Sequence, residues 1–215
     1  LFFSLHTLMS ASAQAQATRG AITLRGSTEI VAEFFGYSIN TILYLRGVYQ
    51  PDAFERVPKY GVPMQIAKDP GLMKYLGTVL QNVSEWLMAG TVQKLAIVMT
   101  SEATAEVLER WEFDIAAGED AETGQSQKTS KAVTGEIQAL VRQITASVTF
   151  LPMIEEPCTF DILVYTSQDT ETPAQWEVSD ARENITNQEV VALRSFSTRI
   201  HQVGAAVKYR GTDGI

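Results

Sequence analysis

Hydrophobic residues recur at helical spacing in three segments of this chain. The first runs from Ser27 to a glycine stop at Gly47, the second from Asp69 to Gly90, and the third follows a polar stretch that ends near residue 130. The apolar positions that share one face are Val31, Phe34, Phe35, Ile39 and Ile42 in the first, Leu72, Leu76, Val79, Leu80, Val83 and Leu87 in the second, and Ile137, Leu140, Val141, Ile144 and Val148 in the third. Because an aspartate before a proline favours a helix start and glycine favours a helix end, the pattern predicts three amphipathic helices.

Three shorter segments have the composition of β-strands. Residues 92–99 are mainly aliphatic, residues 107–115 alternate apolar and polar side chains, and residues 158–166 are apolar on both faces. This pattern predicts antiparallel strands, the last of them covered on both sides. Glu109 interrupts the apolar face of its strand, so we expect it either at the rim of the sheet or paired. Residues 189–210 fit neither period, which is typical of a refolding element or of a poorly patterned edge hairpin.

Composition limits the classes of function. The chain has 215 residues, of which 45% are hydrophobic, enough for one globular domain with a real core. It carries 25 acidic and 17 basic residues, and a net charge of -8 argues against direct nucleic-acid binding. The apolar stretch at residues 1–9 is far shorter than the roughly 20 residues of a membrane-spanning helix, so we expect no membrane insertion.

Two polar or atypical segments stand apart from these elements. Residues 116–130 lack aromatic side chains and contain glycine, which predicts a mobile loop. Residues 1–9 and the small residues after them are open to three interpretations: vector or upstream sequence ahead of a natural start at Met9, a shortened signal peptide, or a functional peptide.

The residue types that support catalysis are sparse. The chain has two histidines, His6 and His201, and one cysteine, Cys158, which excludes an intrachain disulfide and is typical of a cytosolic or nuclear protein. No metal-binding, phosphate-binding or nucleophile-elbow motif is present. A Cys158–His201 nucleophile pair is conceivable, but a cysteine at the start of an apolar strand usually acts as a small buried hydrophobe. We therefore expect no enzymatic activity, no cofactor and no metal, and we favour a scaffold that binds an extended peptide by strand addition.

Six segments carry a recognisable combination of residues. They are ITLRGSTEIVAEFFGYSINTILYLRGVY (22–49), KYG (59–61), VLERWEFDI (107–115), RQITASVTFLP (142–152), CTFDILVYT (158–166) and LRSFSTRIHQV (193–203). Together they resemble the HORMA family, and within it the branch that acts in the spindle assembly checkpoint. The resemblance extends over about residues 20 to 210, and an agreement of this extent is more specific than a short motif.

The resemblance implies an α+β fold in which an antiparallel sheet is backed by three helices. It divides the chain into an N-terminal extension (1–19), a HORMA core (20–166) and a mobile C-terminal segment called the safety belt (167–215). In the family's open form the belt lies along the edge strand. In the closed form it has moved across the sheet and leaves that edge to a partner peptide. Residues 1–8 also resemble the apolar-rich partner motif, so the extension is a tag, upstream sequence or a pseudo-ligand peptide.

The resemblance also implies three groups of functional residues. They are a peptide-binding group of Trp86, Phe160, Ile162, Leu163, Val164 and Tyr165, a belt group of Trp176, Leu193, Arg194, Phe196, His201 and Tyr209, and an interface between open and closed copies of Glu109, Arg110, Arg142, Gln143, Thr149 and Phe150. Taken alone, Trp86 is typical of core packing and Arg142 of a solvated helix position.

The function implied by the resemblance is partner capture in the spindle assembly checkpoint. The expected partners are a kinetochore protein of the mitotic arrest deficient one type, the activator of the anaphase-promoting complex, a checkpoint HORMA antagonist with its AAA+ remodelling ATPase, and a second copy of the chain. The expected location is the nucleus, the cytoplasm and the kinetochore. The alternative is an adaptor of the translesion polymerase zeta type, which belongs to another HORMA branch and captures peptides in the same way.

Overall fold

The computed structural model describes residues 22–118 and 128–211. The predictions for the N-terminal extension and for most of the polar loop at 116–130 fall outside the described residues.

The three predicted helices are present and are capped by local side chains. They are α1 (Leu24–Leu45), α2 (Pro70–Ala89) and α3 (Ser130–Ala146). The side chains of Thr23, Asp69 and Thr129 accept hydrogen bonds from backbone amides in the first turns, which satisfies donors that a helix start leaves unpaired. Gly90 ends α2 with a φ of 69°, a left-handed conformation that glycine adopts without steric cost.

The strands form a two-stranded hairpin and a larger antiparallel sheet. The hairpin pairs β1 (Phe54–Lys59) with β2 (Val62–Ala67). The strands of the larger sheet are β3 (Val92–Ser101), β4 (Val107–Ala117), β5 (Cys158–Thr166), β6 (Gln188–Ala192), β7 (Phe196–Ser197) and β8 (His201–Arg210). Their order is β5-β3-β4-β8-β6, and the short strand β7 also pairs with β8. The expected α+β fold, an antiparallel sheet backed by three helices, is confirmed.

The core lies between one face of the sheet and the helices. Phe34 of α1 contacts Phe113 of β4 and Phe196 of β7, with ring centroids 5.7 and 4.8 Å apart. All three side chains are fully or almost fully buried. Since Phe196 belongs to the C-terminal segment, the last part of the chain completes the core.

Several details differ from the sequence-based expectations. Helix α1 begins at Leu24, three residues before the predicted start at Ser27. The β1–β2 hairpin was not predicted. Val148, expected on the apolar face of α3, follows that helix in a 3₁₀ turn and is exposed. The tighter winding of a 3₁₀ turn rotates the Val148 side chain away from the apolar face of α3.

Candidate functional site

The outer edge of β5 is open to a further strand. On its inner side β5 pairs with β3 along its whole length, from Cys158 opposite Ser101 to Thr166 opposite Val92. Within residues 22–118 and 128–211, no strand pairs with its other side. Main-chain donors and acceptors along such an edge can bind an extended peptide.

A channel of about 790 Å³ runs beside this edge. Its walls are α2, β5 and residues 172–182 of the C-terminal segment, which we call the belt from residue 167 onward. Trp86 of α2 contacts Trp176 of the belt, with ring centroids 5.1 Å apart in an edge-to-face arrangement. The two indoles join the helix to the belt, so the channel is bounded on three sides.

The belt then crosses the face of the sheet opposite the helices. The carbonyl of Ala181 accepts hydrogen bonds from Arg110 and Tyr165, and Arg182 forms an ion pair with Asp161. Further along, Ile185 is buried in a small apolar cluster with Val98 and Val107. These contacts fix the belt over the sheet before it reaches β6.

The end of the belt is built into the sheet beside β4. Strand β8 pairs with β4 from Tyr209 opposite Glu109 to His201 opposite Ala117. Strands β6 and β8, which pair with each other and which we call the belt hairpin, therefore lie on the far side of the sheet from β5. This position matches the closed arrangement of the belt, in which the edge strand is left to a partner.

A buried polar cluster joins the start of β8 to α1 and α2. The Oγ of Ser27 lies 2.7 Å from Nδ1 of His201 and 2.5 Å from Oγ1 of Thr198, and Nε2 of His201 lies 3.3 Å from the carbonyl of Leu87. Burial lowers the pKa of His201, and the hydrogen bond to Leu87 offsets only part of that effect. A neutral imidazole with Nε2 protonated satisfies both partners, since Nδ1 then accepts from Ser27.

The predicted peptide-binding residues lie at the channel with one exception. Trp86, Ile162, Leu163, Val164 and Tyr165 all line it. Phe160 does not line the channel, because its ring packs between those of Tyr49 and Tyr75, at centroid distances of 6.1 and 5.9 Å.

Sequence reasoning missed several lining residues that come from other elements. Tyr75 of α2 is one, and Asp161 and Arg182, which line the channel and form an ion pair with each other, are others. Tyr75 could have been identified from the sequence because it lies on the polar side of α2, where an aromatic side chain remains partly exposed.

The predicted belt residues have different roles in the structure. Trp176 lines the channel, whereas Phe196, His201 and Tyr209 are buried where the belt hairpin joins the core. The Tyr209 hydroxyl donates to Glu189 within that hairpin at 2.6 Å. Leu193 packs at the edge of the core, and the exposed Arg194 donates its amide to the side chain of Gln143 at 2.7 Å.

The residues assigned to a self-interface divide into two sets. Arg142, Thr149 and Phe150 are exposed, and Gln143 is partly exposed, on and just after α3. Glu109 and Arg110 are only 2% and 0% exposed, so their side chains cannot contact a second copy in this arrangement. The self-interface remains a prediction for the four residues near α3.

Glu109 has an internal partner instead. Its carboxylate accepts from Nε of Arg46 at 3.0 Å and from the indole of Trp111 at 2.6 Å, and Nη2 of Arg46 lies 2.8 Å from its second oxygen. Burial raises the pKa of Glu109, and the charge of Arg46 opposes that rise. Of the two expectations for Glu109, rim or paired, the second is correct.

The conceivable Cys158–His201 pair is ruled out by strand register. Cys158 faces Ser101 at one end of the sheet, and His201 faces Ala117 at the opposite end and three strands away. Burial raises the pKa of the Cys158 thiol, which disfavours the thiolate. In the described part of the chain there is no cluster of three or more His, Cys, Asp or Glu that could hold a metal ion, and no helix long and apolar enough to cross a membrane.

Comparisons with known proteins agree with this geometry. A HORMA domain family model matches residues 27–201. The mitotic spindle assembly checkpoint protein MAD2A of Dictyostelium discoideum is 53% identical over 197 residues, covering 91% of this chain and 97% of the relative. MAD2A of Homo sapiens is 48% identical over 191 residues, covering 88% and 93%.

Solved structures give the same result. A chain in a crystal structure of the mitotic checkpoint complex superposes with a TM-score of 0.79 at 42% identity, covering 86% of this chain and 99% of that one. The fold also matches C. elegans HTP-1 bound to the HIM-3 closure motif, with a TM-score of 0.72 at 12% identity, covering 88% and 92%. Because the family model spans most of the chain and the relatives align along nearly their whole length, this chain belongs to the HORMA domain family.

Proposed function

We propose that this chain is a spindle assembly checkpoint adaptor that captures short partner peptides by strand addition and belt closure. The observation that carries the proposal is the open outer edge of β5 beside a channel that the belt covers. An extended peptide in that channel gains main-chain hydrogen bonds from β5, and its alternate side chains meet α2 and the belt. The checkpoint relatives, at 41–53% identity, support the cellular role.

The partners of this adaptor follow from the checkpoint role. We propose that it binds a kinetochore protein of the mitotic arrest deficient one type and the activator of the anaphase-promoting complex, and that holding the activator delays anaphase. An antagonist with an AAA+ ATPase would reopen the belt. We further propose that the chain acts in the nucleus, the cytoplasm and at the kinetochore, and that it is not an enzyme. No specific observation favours the polymerase zeta alternative.

Backbone-modified peptides test capture by strand addition. A labelled peptide carrying the HORMA-binding motif of the anaphase-promoting-complex activator is titrated onto the full chain. Two further peptides carry N-methyl groups on alternate backbone nitrogens, one on the odd set and one on the even set. Because only one set of amides in a strand points toward β5, one of these peptides should lose binding and the other should keep most of it. Equal binding by all three peptides would refute strand addition.

A pulldown from extract of mitotically arrested cells tests partner choice. We expect mass spectrometry to recover the anaphase-promoting-complex activator. Recovery of polymerase zeta subunits in its place would favour the alternative adaptor.

A further inference from the structure

A polar cluster lies on the sheet face opposite the helices and joins four strands. Its members, which we call the outer-face cluster, are Lys94 of β3, Arg110 and Glu112 of β4, Tyr165 of β5 and Lys208 of β8. Arg110 is completely buried and Glu112 is 4% exposed. Charged groups are rarely buried to this degree unless they are paired, so Arg110 and Glu112 depend on partners within the chain.

The guanidinium of Arg110 donates hydrogen bonds to three different parts of the chain. Nε donates to Glu112 at 2.5 Å, Nη2 donates to the hydroxyl of Tyr165 at 2.6 Å, and Nη1 donates to the carbonyl of Ala181 at 2.5 Å. Two of these partners belong to the fixed sheet, and the third is belt backbone. The planar fork of arginine allows one side chain to reach all three, which a lysine ammonium on its single stem does not.

The belt residues next to Ala181 are held by the same face. Arg182 pairs with Asp161 and adopts a φ of 47°, a left-handed conformation that costs energy for a residue other than glycine. Ile185 fills the apolar cluster that includes Val98. A non-glycine residue keeps this conformation only where its surroundings hold it, and the contacts on either side of Arg182 provide that constraint.

The outer-face cluster contacts the belt at a second point. Lys208 of β8 lies 2.9 Å from Glu112, the same carboxylate that receives Arg110. Burial alone would raise the pKa of Glu112. Hydrogen bonds from Lys208 and Arg110 and the charge of Lys94 outweigh that effect and lower this pKa to about 2. One ionised carboxylate thus connects the crossing point of the belt at residue 181 to its last strand.

We propose that Arg110 is a positioning residue for peptide capture, which holds the belt across the sheet through the carbonyl of Ala181 and thereby slows release of a captured peptide. This inference rests on the proposed function. When the belt leaves the sheet, Arg110 exchanges a short charged hydrogen bond for water, and Tyr165 loses the same acceptor. The arrangement therefore favours the belt position seen in the structure, although Arg110 does not line the channel.

The test replaces Arg110 by lysine, with Arg25→Lys as the matched control. In Arg110→Lys the new side chain keeps a positive charge beside Glu112 but reaches fewer partners, while Arg25 is an exposed residue of α1 that pairs with Glu29 at the surface. The full chain is loaded with the labelled activator peptide, and dissociation is followed after addition of excess unlabelled peptide. We expect Arg110→Lys to release the peptide roughly 10-fold faster, as the loss of one charged hydrogen bond predicts, and Arg25→Lys to match the unaltered chain.

Limited proteolysis of the peptide-free chain gives a second readout that does not depend on capture. We expect Arg110→Lys to speed cleavage within residues 172–187, an extended segment that the sheet face holds, while hydrogen exchange shows that α1 and β3 keep their protection. Unchanged release and unchanged cleavage would overturn the inference. Loss of protection throughout α1 and β3 would also overturn it, because Arg110 would then be a general core residue. If the unaltered chain binds no peptide, the proposed function fails, while the cleavage experiment still decides whether Arg110 holds the belt.

Discussion

Removal of Arg46 should destabilise the fold because it leaves a buried carboxylate without its counter-charge. Arg46 and Glu109 have side chains only 5% and 2% exposed, and two guanidinium nitrogens meet the two carboxylate oxygens at 3.0 and 2.8 Å. Arg46 also donates to the carbonyl of Pro152 at 2.5 Å. Breaking a buried pair on one side costs about 3–5 kcal/mol. We therefore expect Arg46→Met to lower the free energy of unfolding by about 3–5 kcal/mol.

Urea unfolding followed by tryptophan fluorescence measures this loss. With an m value of about 2–3 kcal/mol/M, the midpoint should fall by about 1–2.5 M. The matched control is Arg25→Met, which breaks an exposed pair whose side chains are 83% and 66% accessible. Exposed pairs contribute about 0–1 kcal/mol, so its midpoint should hardly move.

Two further measurements separate the charge effect from lost packing. Adding Glu109→Gln to Arg46→Met removes the unpaired charge and keeps an acceptor for the indole of Trp111, so much of the stability should return. Burial already raises the pKa of Glu109, and loss of Arg46 raises it further. The deficit of Arg46→Met should therefore shrink as the pH falls and this carboxyl takes up a proton. An Arg46→Met midpoint equal to that of the unaltered chain, or a deficit independent of pH, would refute the reasoning.

Three other outcomes are expected. Arg142→Glu should abolish self-pairing in sedimentation while leaving the unfolding midpoint unchanged, since the side chain is exposed on α3; a retained dimer would remove Arg142 from the interface. Deleting residues 206–215 removes half of β8 and its pairing with β4, so peptide affinity should fall more than about 10-fold; normal affinity would show that the belt assignment is wrong. The ionised Glu112 carboxylate should stabilise the fold by about 2 kcal/mol above about pH 5, after allowance for screening, because folding lowers its pKa from 4.5 to about 2. This contribution should be lost as the pH falls toward 2. Urea titrations should show a smaller acid loss for Glu112→Gln than for the exposed control Glu55→Gln, and identical acid profiles would refute this.

The helices and the sheet could be predicted because their signals are local. Helical spacing and caps such as Asp69 and Gly90 fix α2 within its own residues. The β1–β2 hairpin was missed because its strands are short and carry Pro58 opposite Pro63. Its turn also places a non-glycine residue, Tyr60, at a positive φ of 52°.

The belt and its contacts depend on residues far apart in the chain. From His201 onward every second residue of β8 is buried, but this alternation is hidden because His201 is polar and Ala205 is small. Nothing local decides whether β8 pairs with β4 or β5. Likewise, the bond from Arg110 to the carbonyl of Ala181 joins positions 71 residues apart, and no spacing rule detects it.

The belt is attached to the sheet at both of its ends, and this has a topological consequence for any captured partner. At one end the amide of Ser167 donates to the carbonyl of Thr91 at 2.8 Å, and at the other β8 is paired with β4 over nine residue pairs. A segment held in the middle of a long polypeptide is therefore encircled, and folded regions on either side of it prevent it from sliding out lengthwise. Escape requires β8 to detach from the sheet, which is a partial unfolding of the HORMA protein itself. A short motif with modest contacts of its own would then form a durable complex, whose lifetime is set by the adaptor rather than by the motif.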